Sequence, residues 1–167
     1  MIKKQTIEDF LKDVGGVKPT PGGGAVAAVT ASLSAALVEM VCNLTIGRKS
    51  YPEVQGRVKE ISTRMQEVRI ELLDLADADS EAFQKVMESY KSEDKSKIKA
   101  ALYWAIEIPQ KVSTLAKEIG EMAMEVSKIG NKNAHSDAMS AEYLANAAFE
   151  SAEENIEINK KSLAALG

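Results

Sequence analysis

One carboxylate, Asp79, interrupts a helical stripe that is otherwise apolar. Alternate steps of four and three from Val54 give ten positions, nine of them apolar: Val54, Val58, Ile61, Met65, Val68, Leu72, Leu75, Asp79, Ala82 and Val86. Residues three and four apart share a helix face, so Asp79 is predicted to point inward. An unpaired buried carboxyl has a raised pKa. The spacing therefore leaves two interpretations open: a general acid/base in a cleft, or a structural carboxylate that pairs with a Lys, Arg or Asn side chain or makes a helix-cap contact.

A run of three glycines, Gly22, Gly23 and Gly24, lies between a proline-rich loop and a long apolar segment. Without Cβ atoms, such a stretch can adopt unusual dihedral angles and let a ligand lie against the backbone. The free N–H groups of the first helical turn favour a carboxylate, phosphate or amide oxygen. No strand precedes the glycines and no Gly-Lys-Ser/Thr follows, so this is neither a P-loop nor a dinucleotide fingerprint. The three glycines are candidate ligand contacts.

Five further polar residues are candidates for substrate binding. Glu39 lies inside the apolar segment, and the favoured interpretation is that its carboxylate is the structural partner of a basic or amide side chain. Arg48 and Lys49 follow the same segment and could complement the negative end of its helix or hold an anionic ligand tail. Asn155 and Asn159 are four residues apart, so they share one face and could bind a planar polar ligand or tie helices together.

Composition narrows the possible classes of function. The chain has 167 residues, a single His135 and a single Cys42, with no CxxC or HExxH spacing, so a catalytic metal is not expected. A net charge of -4 argues against nucleic-acid binding, which needs a basic surface. The first residues are charged rather than apolar, which argues against a secretory signal and predicts a cytoplasmic protein.

The sequence predicts an all-α fold in one domain spanning residues 1–167. Alanine, leucine, glutamate and lysine abound, and no hairpin signal separates alternating segments. We expect an antiparallel up-and-down bundle of about five helices, with a long third helix and a fourth kinked by a proline. The expected helices run from about Thr6 to Gly15, from Gly24 to about Ile46, from about Pro52 to Tyr90, from about Asp94 to Lys128 with Pro109 inside, and from the 130–137 loop nearly to the end.

The second of these helices is long enough to span a membrane, but its composition predicts a core helix instead. It is built mainly from alanine, serine, threonine and valine, and Glu39 lies well inside it. A helix that is apolar all round must be covered by its neighbours. Because so much small apolar surface needs covering, we expect a homodimer and no membrane partner.

Four segments together resemble a known family. They are "PTPGGGAVAAVTASLSAALVEMVCNLTIGRKSY", "DADSEAF", "GNKNAHSDA" and "NIEIN", in that order along nearly the whole chain. This pattern is similar to the cyclodeaminase/cyclohydrolase family, which includes the C-terminal domain of formimidoyltransferase-cyclodeaminase and stand-alone methenyltetrahydrofolate cyclohydrolases. The resemblance implies a helical, dimer-forming domain that binds a tetrahydrofolate derivative near the glycines, with Asp79 as the catalytic carboxylate. Family members commonly have serine after the glycines, where this chain has Ala25.

The expected function is therefore a one-carbon enzyme acting on the N5/N10 bridge of tetrahydrofolate. Formimidoyltetrahydrofolate cyclodeaminase and methenyltetrahydrofolate cyclohydrolase activities both remain open, because one tuned acid/base serves either reaction. No cofactor is expected beyond the tetrahydrofolate derivative that acts as substrate. The alternative is a non-catalytic, dimeric helical interaction module in which Asp79 forms a structural ion pair.

Overall fold

The computed structural model describes residues 1–92 and 94–167, and this part of the chain is helical with no strand. The five α-helices are α1 (Ile7–Val14), α2 (Gly23–Asn43), α3 (Gln55–Lys91), α4 (Lys95–Ile129) and α5 (His135–Ala164), and short 3-10 turns occupy Ile2–Lys4, Pro52–Val54 and Lys132–Ala134. The all-α prediction with five helices is confirmed. The main difference in boundaries is that α2 ends at Asn43 rather than near Ile46.

Helix α2 lies at the centre and packs against α3, α4 and α5. Its buried residues are almost all small, and the face that α5 buries is also mostly alanine: Ala138, Ala141, Ala145, Ala148, Ala152 and Ile156. Small side chains let two helix backbones approach closely, which brings main-chain carbonyls within reach of short polar side chains. Ser34 on α2 uses this proximity, since its Oγ donates a buried hydrogen bond of 2.6 Å to the carbonyl of Ala141 on α5.

Contacts between sequential helices join an early part of one helix to a late part of its neighbour. The hydrogen bonds are Ser62 to Asn43, Arg57 to Glu125 and Asn159 to the Ala105 carbonyl. This pattern is the one expected of antiparallel neighbours, and the antiparallel arrangement itself stays a prediction. Pro109 lies inside α4, which continues on both sides of it. A kink at Pro109 stays a prediction.

By length and composition alone, α2 is also apolar enough to cross a membrane. More than half of that stretch is buried inside the bundle, as in the core helix of many soluble proteins, so the length and composition are weak evidence for a span.

The apolar stripe of α3 faces the core as its spacing predicts. Seven of its apolar positions are buried, Val54 and Val86 at the two ends are partly buried, and Asp79 is partly buried as well. Of the two neighbouring carboxylates, Glu81 is exposed and Asp77 is partly buried. Asp77 accepts a hydrogen bond from the backbone N–H of Ile2 because the N-terminal turn packs against α3.

Candidate functional site

A cavity of about 390 Å³ opens where the start of α2 meets the later part of α3, with α4 and α5 forming its other walls. This volume lies within the range of roughly 300–1,000 Å³ that is typical of small-molecule sites. Six of the nine residues singled out in the sequence line it: Asp79, Gly22, Gly23, Gly24, Asn155 and Asn159. Folding therefore brings together three segments that are far apart in the chain.

The carboxylate of Asp79 lies directly against the first turn of α2, and Gly24 makes this approach possible. A Cβ atom at Gly24 would lie 2.1 Å from Oδ1 of Asp79 and 2.8 Å from Oδ2, which is far inside van der Waals contact. None of the three glycines has a positive φ, so their role here is to leave space rather than to permit an unusual backbone conformation. The backbone N–H of Ala25, in the same turn, favours the charged form of the carboxylate.

Burial raises the pKa of the Asp79 carboxyl above its ordinary value of 3.8, and the backbone N–H of Ala25 offsets part of that rise. Within residues 1–92 and 94–167, no lysine, arginine or histidine forms an ion pair with Asp79. A structural ion pair at Asp79 is thus missing from the described part of the chain, whereas the contact with the first turn of α2 is the helix-cap contact that the other structural interpretation predicts. A partly buried carboxyl without a cation can hold and release a proton nearer neutrality than an ordinary aspartate.

Asn155 and Asn159 lie one turn apart on α5 and both line the cavity. The Nδ2 group of Asn155 donates to the carbonyl of Ser151 at 2.7 Å, and that of Asn159 donates to the carbonyl of Ala105 at 2.8 Å. Asn159 therefore ties α5 to α4 and also lines the cavity, so the two interpretations of this residue are compatible. Among the described residues, neither amide oxygen accepts a hydrogen bond, so both oxygens remain available as acceptors for a ligand N–H.

An apolar wall on α3 continues from Asp79 towards the C-terminal end of the helix. It consists of Phe83, Val86, Met87 and Tyr90, all of which line the cavity. Phe83, Met87 and Tyr90 are 37%, 49% and 43% exposed, respectively, which is unusual for large apolar side chains. This wall was missed from the sequence alone. The signal was its spacing, since positions 79, 83, 87 and 90 share one helix face.

The structure does not bring Glu39, Arg48 or Lys49 to this cavity. Glu39 instead accepts a hydrogen bond of 3.1 Å from Nε of Arg69, which is the structural pairing favoured from the sequence. Arg48 and Lys49 are exposed in the connection after α2. The 21 residues of α2 separate that connection from the cavity, a length of about 32 Å at ~1.5 Å per residue. A ligand held at Asp79 is thus remote from the basic pair of its own subunit.

A second, larger concavity of about 700 Å³ lies between α4 and α5 and is lined by residues such as Met124, Glu142 and Phe149. None of the nine predicted site residues lines it. Size alone would favour this concavity, but the smaller cavity holds the carboxylate with the raised pKa and the two oriented amides.

The described residues contain no group of three or more His, Cys, Asp or Glu side chains positioned to hold a metal ion.

Residues 6–165 match the family described as Formiminotransferase-cyclodeaminase. The chain belongs to this family. A solved structure of formiminotetrahydrofolate cyclodeaminase from Thermotoga maritima superposes on the chain with a TM-score of 0.94 at 36% identity, covering 98% of this chain and 82% of that one. The fold of the formiminotransferase-cyclodeaminase family is therefore present over almost the whole chain.

Two further relatives have names that differ in the reaction they specify. Methenyltetrahydrofolate cyclohydrolase of Methylorubrum extorquens is 38% identical over 98% of this chain and 83% of its own length. Formimidoyltransferase-cyclodeaminase of Mus musculus is 27% identical over 95% of this chain but only 31% of its own length. This chain thus spans about a third of the mouse relative.

The contact between Gly24 and Asp79 predicts that Gly24→Ala destabilises the fold by about 1–3 kcal/mol, because the added methyl group forces the carboxylate and the α2 backbone apart. Urea denaturation measures the change. Gly23→Ala is the matched control, since a Cβ there meets only Nδ2 of Asn155 at an ordinary 3.6 Å. Equal stabilities for the two variants would contradict the steric role of Gly24.

The raised pKa of Asp79 predicts a pH-dependent difference between the native protein and Asp79→Asn. The folded state binds the Asp79 proton more tightly than the unfolded state, so the native protein loses stability as pH rises from 3.8 through the raised pKa. The asparagine variant lacks this loss. Urea denaturation at pH 4 and pH 7 should show the stability of Asp79→Asn, relative to the native protein, improving at the higher pH. Parallel pH profiles would contradict the burial of an ionisable group at this position.

Proposed function

We propose that this chain is a one-carbon enzyme that acts on the N5/N10 bridge of tetrahydrofolate, as a formimidoyltetrahydrofolate cyclodeaminase, a methenyltetrahydrofolate cyclohydrolase, or both. The observation that carries the proposal is the Asp79 carboxylate. This carboxylate lies in the wall of a ligand-sized cavity, and its pKa is raised. Among the described residues it has no cation as a partner. Membership of the family supports the substrate class, since the relatives named above are folate enzymes.

In cyclodeamination, N10 of 5-formimidoyltetrahydrofolate attacks the formimidoyl carbon and loses its proton. The resulting tetrahedral carbon carries N5, N10 and an amino group, and the amino group must be protonated before it leaves as ammonia. Asp79 serves both steps by accepting the N10 proton and delivering a proton to the departing nitrogen. A carboxyl with a raised pKa suits this exchange, because it is easier to protonate at neutral pH than an exposed aspartate.

In cyclohydrolysis, water attacks the carbon that bridges N5 and N10 of the methenyl cation. Asp79 accepts the proton of the attacking water, and its negative charge stabilises the cationic substrate before the attack. Breaking the bond from that carbon to N5 then gives the formyl product: N5 receives the proton that Asp79 accepted, and the remaining hydroxyl proton is released to solvent as the carbonyl forms. The two reactions use the same carbon and the same carboxylate, so one site serves both.

The remaining walls of the cavity suit the rest of such a substrate. The aromatic and apolar side chains of Phe83, Met87 and Tyr90 offer a surface for flat rings, and the amide oxygens of Asn155 and Asn159 offer acceptors for ring N–H groups. The reaction needs no cofactor beyond the folate itself and no metal ion. In this proposal the chain is one catalytic domain spanning residues 1–167, acts in the cytoplasm and binds neither membrane nor nucleic acid.

A homodimer forms part of the proposal. Helix α1 has no buried residue although one side of it is apolar, and Ile7 is 78% exposed. Leu33 on α2, which lines the same groove as Ile7, is 55% exposed. A second copy would cover this surface. Arg48 and Lys49 can bind the carboxylate tail of a folate only if the partner subunit brings them to the cavity.

Replacing the proposed acid/base tests the function directly. Asp79→Asn is nearly isosteric and should lower kcat about 10²- to 10⁴-fold, because that is the usual contribution of general acid/base catalysis. One purified sample is assayed for absorbance decay of methenyltetrahydrofolate and for ammonia release from formimidoyltetrahydrofolate, and the faster reaction names the main activity. Glu81→Gln is the matched control, since it removes an exposed carboxylate two residues away. Unchanged activity in Asp79→Asn would overturn the assignment.

The proposed dimer is tested separately by the mass of the protein in solution. Light scattering at micromolar concentration should give twice the mass of 18.0 kDa. Ile7→Glu should shift the protein towards the monomer, because it places a charge in the apolar groove that a second copy would cover. A monomeric mass for the native protein would contradict the dimer.

A further inference from the structure

The carbonyl group of Ala105 lacks its usual helical partner because of a proline one turn later. In an α-helix, each N–H donates to the carbonyl four residues earlier. Pro109 has no N–H, so α4 supplies no such donor for Ala105, and the proline ring also crowds that carbonyl. Ala105 is only 8% exposed and Pro109 is buried. A buried carbonyl without a partner is destabilising, so a donor from elsewhere is favoured.

Asn159 on α5 provides that donor. Its Nδ2 group donates a hydrogen bond of 2.8 Å to the Ala105 carbonyl, and both residues line the cavity that contains Asp79. An asparagine amide has one donor end and one acceptor end. Because the donor end is engaged with the backbone of α4, the orientation of the amide is set, and Oδ1 is the end left to accept from a ligand. The amide of Asn155 is oriented in the same sense by the Ser151 carbonyl.

We propose that Pro109 is a positioning residue of the site: by leaving the Ala105 carbonyl free, it fixes the Asn159 amide so that its oxygen receives an N–H group of the ligand. The identity of that ligand as a folate rests on the proposed function above. Without such a role, proline in the middle of a 35-residue helix would only destabilise it, because it removes a helical hydrogen bond. Asn159 recovers the hydrogen bond that Pro109 removes, and the recovered bond lies in the wall of the cavity.

The test restores the missing N–H. In Pro109→Ala, the new backbone N–H competes for the Ala105 carbonyl, so the Asn159 amide loses its fixed orientation. KM for the folate substrate should rise about threefold to tenfold, the value of one hydrogen bond, with a smaller change in kcat. Pro109→Ser restores the same N–H with a different side chain, so an effect shared by both variants belongs to the N–H. Pro52→Ala is the matched control, since Pro52 precedes α3 and does not line the cavity.

A double-mutant cycle separates positioning from general damage to the core. If Pro109 acts through Asn159, then Asn159→Ala alone raises KM, and adding Pro109→Ala to that variant has no further effect. Equal fold-changes in the two backgrounds, or an unchanged KM in Pro109→Ala, would overturn the proposal.

A spectroscopic measurement keeps this inference independent of the enzyme assay. Two-dimensional NMR of protein labelled with ¹⁵N-asparagine shows the side-chain amide of Asn159, which is assigned by its loss in Asn159→Ala. That signal should shift in Pro109→Ala and Pro109→Ser but not in Pro52→Ala. An unmoved signal would overturn the role of Pro109 whatever the enzyme does. A shifted signal in a protein without folate activity would uphold the link between Pro109 and Asn159 and reject the proposed function.

Discussion

The contact between the Asp79 carboxylate and the first turn of α2 organises the site. A charged oxygen can approach a helix backbone this closely only where the backbone carries no side chain, and Gly24 provides that gap. The same contact removes water from the carboxylate and offers it the N–H of Ala25. These two effects act in opposite directions on the pKa, and burial is the larger. The balance between them makes Asp79 suitable as a proton acceptor and donor.

The rest of the site depends on helices rather than on loops. Asp79 and the apolar wall come from α3, and the two oriented amides come from α5, while α4 contributes Ala105 as an anchor. Side chains on long packed helices hold their positions better than side chains on mobile connections. Among residues 1–92 and 94–167, only the segment before α2 contributes irregular backbone to the cavity. The chemistry therefore relies on the packing of the bundle.

Sequence patterns were sufficient to predict the helices and the inward orientation of Asp79, because an ionisable residue in an apolar stripe is visible without coordinates. The partners of Asp79 were harder to find. Resemblance placed the ligand near the glycines but could not show that Gly24 makes room for the carboxylate, since a steric clash is a tertiary property. The sequence predicted a structural partner for Glu39 but could not identify it as Arg69. The length of α2 already separates Arg48 and Lys49 from the glycines of their own subunit, so their binding of a ligand tail stays a prediction that depends on the dimer.

Pro109 shows a different limit of sequence reasoning. Its helix-breaking chemistry predicts a bend, but the consequence for Asn159 depends on which neighbour faces the released carbonyl. That information resides in the packing of α4 against α5. A rule that concerns one residue and its own helix cannot supply it.

The interface of alanines between α2 and α5 has a consequence for how the two helices are aligned along their axes. A row of near-identical methyl groups presents almost the same surface after a shift of one turn, so it holds two helices close without fixing their relative translation. The hydrogen bond from Ser34 to the Ala141 carbonyl resists such a slip of α5 along α2, and the bond from Asn159 to the Ala105 carbonyl fixes α5 along α4, because each needs one particular carbonyl. The amide of Asn159 therefore keeps α5 in axial register while it also faces the cavity.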